Sequence, residues 1–156
     1  MKLLNFDLSL PSHSHELTSL GLDWDMHNFA DFVGLELMPE TNSAVMRWIV
    51  PDATNPWGCT RNKFSGCELR FSNLKYLQVT DRDLELPLTE DSCLAGVSKV
   101  DIKRTEPPEF RTRKLWNSDD EFCLWFHFQS RRDIVIDSET VELVPLASSP
   151  VETIAR

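Results

Sequence analysis

Apolar and polar side chains alternate with a period of two along most of this chain, the spacing of a strand with one buried face. In Phe32-Val33-Gly34-Leu35-Glu36-Leu37-Met38 one face carries Val33, Leu35 and Leu37 and the other carries Glu36. Pro39-Glu40-Thr41-Asn42-Ser43 is turn chemistry. Ala44 to Val50 then resumes extended structure rich in β-branched and large apolar residues, which predicts a hairpin with a loop of about five residues. Pro51 to Gly66, with its prolines, glycines and Asn55, reads as a long loop holding Trp57. Cys67-Glu68-Leu69-Arg70-Phe71 alternates again, Ser72-Asn73 is placed as a turn, and Leu74 to Val79 as the next strand. Toward the N-terminus Leu20, Leu22 and Trp24 are expected to point one way, with Gly21 and Asp23 the other.

Asp81 to Pro87 is an acidic loop, and one short helix is expected after it. Thr89 would cap that helix, Glu90 and Asp91 would suit its positive end, Leu94 and Val97 would face the core, and Gly96 would end it. Lys99 to Lys103 and Phe110 to Trp116 follow as extended segments around a Pro107-Pro108 break, and Asn117-Ser118-Asp119-Asp120 makes a turn. In the most apolar run Phe122, Leu124, Phe126 and Phe128 share one face while Cys123, Trp125 and His127 share the other, so both faces can be covered. Asp133 to Asp137 and Val141 to Val144 finish the domain. Eight to ten short strands with at most two short helices predict a mostly β fold, an antiparallel β-sandwich or a curled half-barrel. Residues 1–146 form a single domain, and 147–156 a peripheral tail.

A chain of 156 residues buries roughly 70% of its unfolded surface, so its core needs neither disulfide nor metal. The formal net charge is −9, and the first 60 residues hold eight acids against two bases. That balance argues against nucleic acid and against an anionic membrane surface, and it suits a basic protein partner. A band of bases (Lys99, Lys103, Arg104, Arg111, Arg113, Lys114) is interrupted by Asp101, Glu106 and Glu109 and reads as a solvated edge. No run reaches the roughly 20 apolar residues of a membrane span, and Asn5 and Asp7 break the opening apolar stretch too early for a signal peptide. The expected location is the cytoplasm, where Cys59, Cys67, Cys93 and Cys123 stay as thiols.

Reactive constellations are sparse. His13 and His15 could share a strand face and grip a metal with His27 or Asp25, but Pro11 places them in a loop, so no metal and no cofactor is expected. Cys123 and His127, four residues apart on one strand face, stand about 13 Å apart, too far for a nucleophile and its base. His127 is expected to be a hydrogen-bonded structural residue. Arg61 and Lys63 could lower the pKa of Cys59, but a lone loop thiol is no catalytic set. Of the carboxylate pairs, Glu90/Asp91 has a helix-start role and Asp119/Asp120 a turn role, which leaves Asp23/Asp25, beside Trp24, to line a cleft. No catalytic residue is expected. Trp57, in an irregular loop near Asp52, is either a core plug or a binding anchor.

The His15-Glu16-x-x-x-Leu20 opening, the 32–38 and 44–50 hairpin, the Cys67–Phe71 strand, the acidic Asp81–Asp91 segment and the late aromatic strand form a recognisable order. It resembles that of small bacterial β-sandwich immunity proteins of polymorphic or contact-dependent toxin systems, in which His-Asp is usual where this chain has His15-Glu16. The resemblance implies a cytoplasmic, non-catalytic inhibitor that binds a basic toxin domain such as a nuclease, and it carries over no individual site residue. Exposed acids and the loop Trp make Glu40, Asp52, Trp57, Asp119 and Asp120 the candidate partner-binding residues. A small β-barrel that binds a ligand, or a structural subunit of an assembly, would fit the same pattern; an enclosed pocket with convergent polar groups would favour the barrel.

Overall fold

A computed structural model describes residues 1–10, 12–51, 64–102, 113–115 and 121–147, with the backbone alone for 101–102 and 113–115. The described residues form eleven strands. They are β1 (Lys2–Leu4), β2 (Phe6–Leu8), β3 (Glu16–Ser19), β4 (Leu22–Asp25), β5 (Asp31–Met38), β6 (Ser43–Ile49), β7 (Phe64–Val79), β8 (Leu94–Ile102), β9 (Arg113–Leu115), β10 (Cys123–Phe128) and β11 (Asp133–Ala147). The expected mostly β, curled half-barrel architecture is what the chain adopts. One sheet runs β5-β6-β7-β11-β10-β8-β9, with β1 added in parallel to the second half of β11, and β2-β3-β4 form a small second sheet. The large sheet curls until the N–H of Phe32, at the start of β5, donates to the carbonyl of Ser92, just ahead of β8, at 2.8 Å. Among the described residues no helix is long and apolar enough to cross a membrane.

The concave face holds the core. Trp48 of β6, Leu69 and Phe71 of β7, Leu124, Phe126 and Phe128 of β10 and Leu143 of β11 point inward, and the small sheet closes over them with Phe6, Leu17 and Trp24. The aromatic rings interlock, with Phe32 against both Trp48 and Phe128 at centroid distances of 5.1 and 4.8 Å. The alternation of residues 122–128 is realised on both faces: Phe122, Leu124, Phe126 and Phe128 lie in this core, and Cys123 joins Val100, Val135, Tyr76 and Trp125 on the convex side. Asn5 ties the two sheets together. Its side chain exchanges hydrogen bonds with the backbone of Leu143, and its carbonyl accepts from the Ser19 hydroxyl.

Five expectations need correction. Val33, Leu35 and Leu37 do not form a buried face of β5: Phe32 enters the core, the register slips between Phe32 and Gly34, and Val33 and Leu37 are each 50% exposed. The Ser72-Asn73 turn does not exist: β7 is one sixteen-residue strand through it. The segments 133–137 and 141–144 likewise belong to one strand, β11. Both strands bend at the same level, where Asn73 takes the left-handed backbone (φ 56°) and the register slips between Asp137 and Ser138. Asn73 Nδ2 donates to Glu139 there at 2.8 Å, so turn chemistry has been spent on bending a continuous pair. The helix expected from Thr89 to Gly96 is a single 3-10 turn, Leu88–Asp91. From Leu94 onward β8 pairs with β10, so ladder bonds and the β-branched Val97 and Val100 override the capping signal. Leu20 does not continue a strand face; Leu20 and Gly21, with φ of 55° and 75°, are the two-residue turn between β3 and β4.

Candidate functional site

The segment from Thr80 to Ser92 crosses the end of the half-barrel beside the β10–β11 turn. That turn has three residues, Gln129 to Arg131, and closes with Arg131 N–H donating to the Phe128 carbonyl and Phe128 N–H to that of Arg132. The backbone of the loop is tied to it: Asp83 N–H donates to the Ser130 carbonyl and Ser130 N–H to that of Glu90. Arg82 is turned inward, its side chain 13% exposed, and holds the loop from beneath. Its Nε donates to Asp91 at 2.8 Å and its Nη2 to the carbonyls of Leu86 and Pro87. Asp91 also receives Arg132 at 3.2 Å. Burial pushes the Asp91 pKa up, but hydrogen bonds from Ser130 and Arg82 and the two guanidinium charges outweigh it and hold the carboxyl below its ordinary value.

This pinned loop turns apolar side chains outward. Leu84 is 84% and Leu88 75% exposed, the two most exposed large hydrophobic residues among those described. The same segment carries Asp81, Asp83, Glu85 and Glu90. Asp83 pairs with Arg131 at 2.9 Å, whereas Asp81, Glu85 and Glu90 have no ion pair among the described residues. Arg131 adopts the left-handed backbone (φ 63°), unfavourable for a residue with a Cβ, at the turn position where this pairing begins. The surface therefore joins apolar anchors, carboxylates with no ion pair among the described residues, and a backbone held by hydrogen bonds to the β10–β11 turn. The acidic segment was legible in the sequence, but the exposure of Leu84 and Leu88 was not, since each fits a buried reading equally well. Only the inward turn of Arg82 settles which side chains face out.

The residues expected to bind a partner are not brought to this loop by any described contact. Glu40 is exposed in the 3-10 turn Pro39–Thr41 at the tip of the β5–β6 hairpin, which Asn42 fastens to Leu74. Asp52, Trp57, Asp119 and Asp120 lie outside the described residues, as does Cys59.

The histidines divide into two groups. His13 has a left-handed backbone (φ 49°), so it and His15 do not share a strand face. The ring of His13 meets Trp125 at 6.2 Å, while His15 meets His27 at 5.0 Å in an open cleft of about 390 Å³ that Asp25 also lines. Asp25 is engaged locally, accepting the backbone N–H groups of His27 and Asn28 and the side-chain amide of Asn28. Asp23 accepts the Thr18 hydroxyl. Among the described residues no group of three His, Cys, Asp or Glu side chains is placed to hold a metal ion. His127 Nδ1 donates to Asp133 at 2.6 Å, the hydrogen-bonded role expected for it. One pairing escaped the sequence: Cys93 Sγ lies 3.8 Å from His27 Nδ1. That nitrogen is 2.6 Å from the Leu94 carbonyl, which can only accept, so it carries the proton and cannot take one from the thiol. Burial, then Glu90 and Asp31, push the Cys93 pKa up, which keeps it a thiol at neutral pH. Cys67, Cys93 and Cys123 are free of disulfides.

On the convex face Glu68 is buried between Arg47 and Arg70, each about half exposed, with contacts of 2.7 and 2.8 Å. Burial opposes ionisation of Glu68, but hydrogen bonds and charge from Arg70 and Arg47 win, and its pKa is lowered. Beside Arg47, Gly34 leaves a small notch of about 180 Å³ walled by Val33, Glu36 and Val45. Compared with protein-family models, with curated proteins and with solved structures, the chain matches none.

Proposed function

We propose that this protein is a non-catalytic binding module that engages a basic protein through the 80–92 loop. The observation that carries the reading is the pinned loop with Leu84 and Leu88 exposed beside carboxylates that have no ion pair among the described residues. Solvent-exposed Leu side chains on an ordered backbone are unfavourable in water and become favourable when a partner covers them, at little further cost in ordering entropy. Carboxylates around an apolar centre form the polar rim of a docking site and select for Lys and Arg on the other side. A net charge of −9 supports steered encounter with a cationic partner.

The more specific form of the reading is an immunity protein that neutralises a cognate toxin, for instance a nuclease domain, in the cytoplasm. It rests on the resemblance in element order, to which the charge adds a suitable partner chemistry.

The test is affinity capture from the source cell with the wild-type chain and with a Leu84→Asp/Leu88→Asp double variant that keeps the wild-type circular dichroism. A basic protein held by the first and lost by the second supports the loop reading, and equal capture by both overturns it. Association of the captured partner should slow by about tenfold or more between low and moderate salt. If that partner halts growth when produced alone and not when co-produced with this chain, the neutralising form stands; a harmless partner removes it.

A further inference from the structure

Where the 80–92 loop leaves β7 there is a sheet edge that no strand among the described residues takes up. β6 accompanies β7 only from Gly66 to Ser72, whereas β11 follows it to Val79. The phase of the ladder is set at both of its borders. Thr80 N–H donates to the Asp133 carbonyl, and across β11 Phe128 N–H donates to the Arg132 carbonyl. Residues 133, 135 and 137 therefore face β7, while 134 and 136 face β10. Their partners Gln78 and Tyr76 bond to β11, and Leu77 and Val79 turn their N–H and C=O groups away from it. Among the described residues no strand takes up these four groups. Val79 is 50% exposed. Lys75, skipped in the register, blunts the edge at one end, and Asp81, with no ion pair among the described residues, continues it at the other. The outer edge of β5 is a poorer template, because Ser92 occupies the Phe32 N–H and a register slip interrupts the strand between Phe32 and Gly34.

We propose that the Tyr76–Val79 edge accepts an extended, basic segment of the partner protein as an added strand, in line with the acidic loop. The inference deepens the loop reading and rests on it. Main-chain bonds to Leu77 and Val79 supply affinity that any extended segment can use, and alternate side chains supply the choice. Lys or Arg near the end of the added strand meets Asp81, and Glu85 lies further along the same loop. A second copy of this chain is a poorer occupant, because two bodies of charge −9 repel.

The test uses the full chain and a displayed library of random twelve-residue peptides. Selection should enrich peptides that alternate apolar residues with Lys or Arg. The best of them, made synthetically, should slow exchange of the Leu77 and Val79 amide protons by about tenfold or more, with Gln78 already protected in the free protein. Methylating backbone nitrogens at every second peptide position should abolish binding in one phase and spare it in the other, a signature that needs no change to the protein. Val79→Pro, which removes an N–H that β11 does not use, should weaken the peptide by about tenfold or more. If no such peptide is enriched, or exchange at 77 and 79 is unchanged, strand addition is wrong. If exchange there stays unchanged while Leu84→Asp/Leu88→Asp abolishes binding, the edge proposal falls and the loop reading survives. Slowed exchange with a harmless double Leu variant keeps the edge and removes the loop. A dimer with Leu77 and Val79 already protected would give the edge to a second copy and overturn the proposal.

Discussion

Leu20 is an apolar residue in a left-handed turn, 71% exposed, where a hairpin of this kind favours Asn or Asp before Gly. Leu20→Asn should raise stability by about 1 kcal/mol, seen as a higher midpoint in urea. An unchanged midpoint would mean that the turn is not limiting. Among the described residues, two partly buried carboxylates should carry the acid sensitivity. Asp91 and Glu68 both have folded pKa values below their ordinary ones. Their contribution to stability is therefore complete above the unfolded values and is lost as pH falls through the folded ones. Unfolding free energy should decline below about pH 4, and Glu68→Gln together with Asp91→Asn should flatten that decline while lowering stability at pH 7. A decline as steep in the double variant as in the wild type would assign the acid response to other groups.

Among the elements, β6 and β7 approach closely at Gly66. A Cβ there would stand 2.1 Å from the Trp48 carbonyl oxygen, which is backbone and cannot step aside. Gly66→Ala should cost about 3 kcal/mol or more by forcing the two strands apart, measured as a lower midpoint in chemical denaturation. A loss below about 1 kcal/mol would show that the pair has room to shift. Strand identity was largely legible in the chain, because two-residue alternation in 32–38, 44–50 and 122–128 marks extended structure; it gave the buried face for 122–128 but not for 32–38, where a register slip after Phe32 leaves Val33 and Leu37 half exposed. Strand ends were less legible. Ser72-Asn73 and the 138–140 segment have turn composition, and nothing local distinguishes a turn from a bend in a continuous strand. That difference lies in the partner: the β7–β11 pairing slips at the kink and resumes on its far side, and Asn73 bridges to Glu139 within it.

At the scale of the molecule, one core joins both sheets. Trp24 of the small sheet and Trp48 of the large one are each fully buried in it. Unfolding should therefore be a single transition in which tryptophan fluorescence and far-ultraviolet circular dichroism coincide. Fluorescence changing well ahead of circular dichroism would mean that the small sheet detaches first. The circular dichroism itself should be dominated by strand.

The sequence by itself determined that this is a mostly β chain, which residues of the late aromatic strand face inward, and that its charge is strongly negative. Those properties follow from local periodicity and from a sum over residues, and neither requires a partner in space. Tertiary structure alone decided that segments 67–71 and 74–79 are one strand, and that Glu90 and Asp91 end a loop where a helix was expected to begin. It also decided that Cys93 adjoins His27, and that Leu84 and Leu88 face solvent while Arg82 faces in. Each depends on a group distant in sequence: β11 for the long strand, β10 for the extended form of residues 94–102, Arg132 and Ser130 for Asp91. The exposure of an apolar side chain is fixed by what its neighbours hold down, and in the 80–92 loop those neighbours come from a turn some forty residues further along the chain.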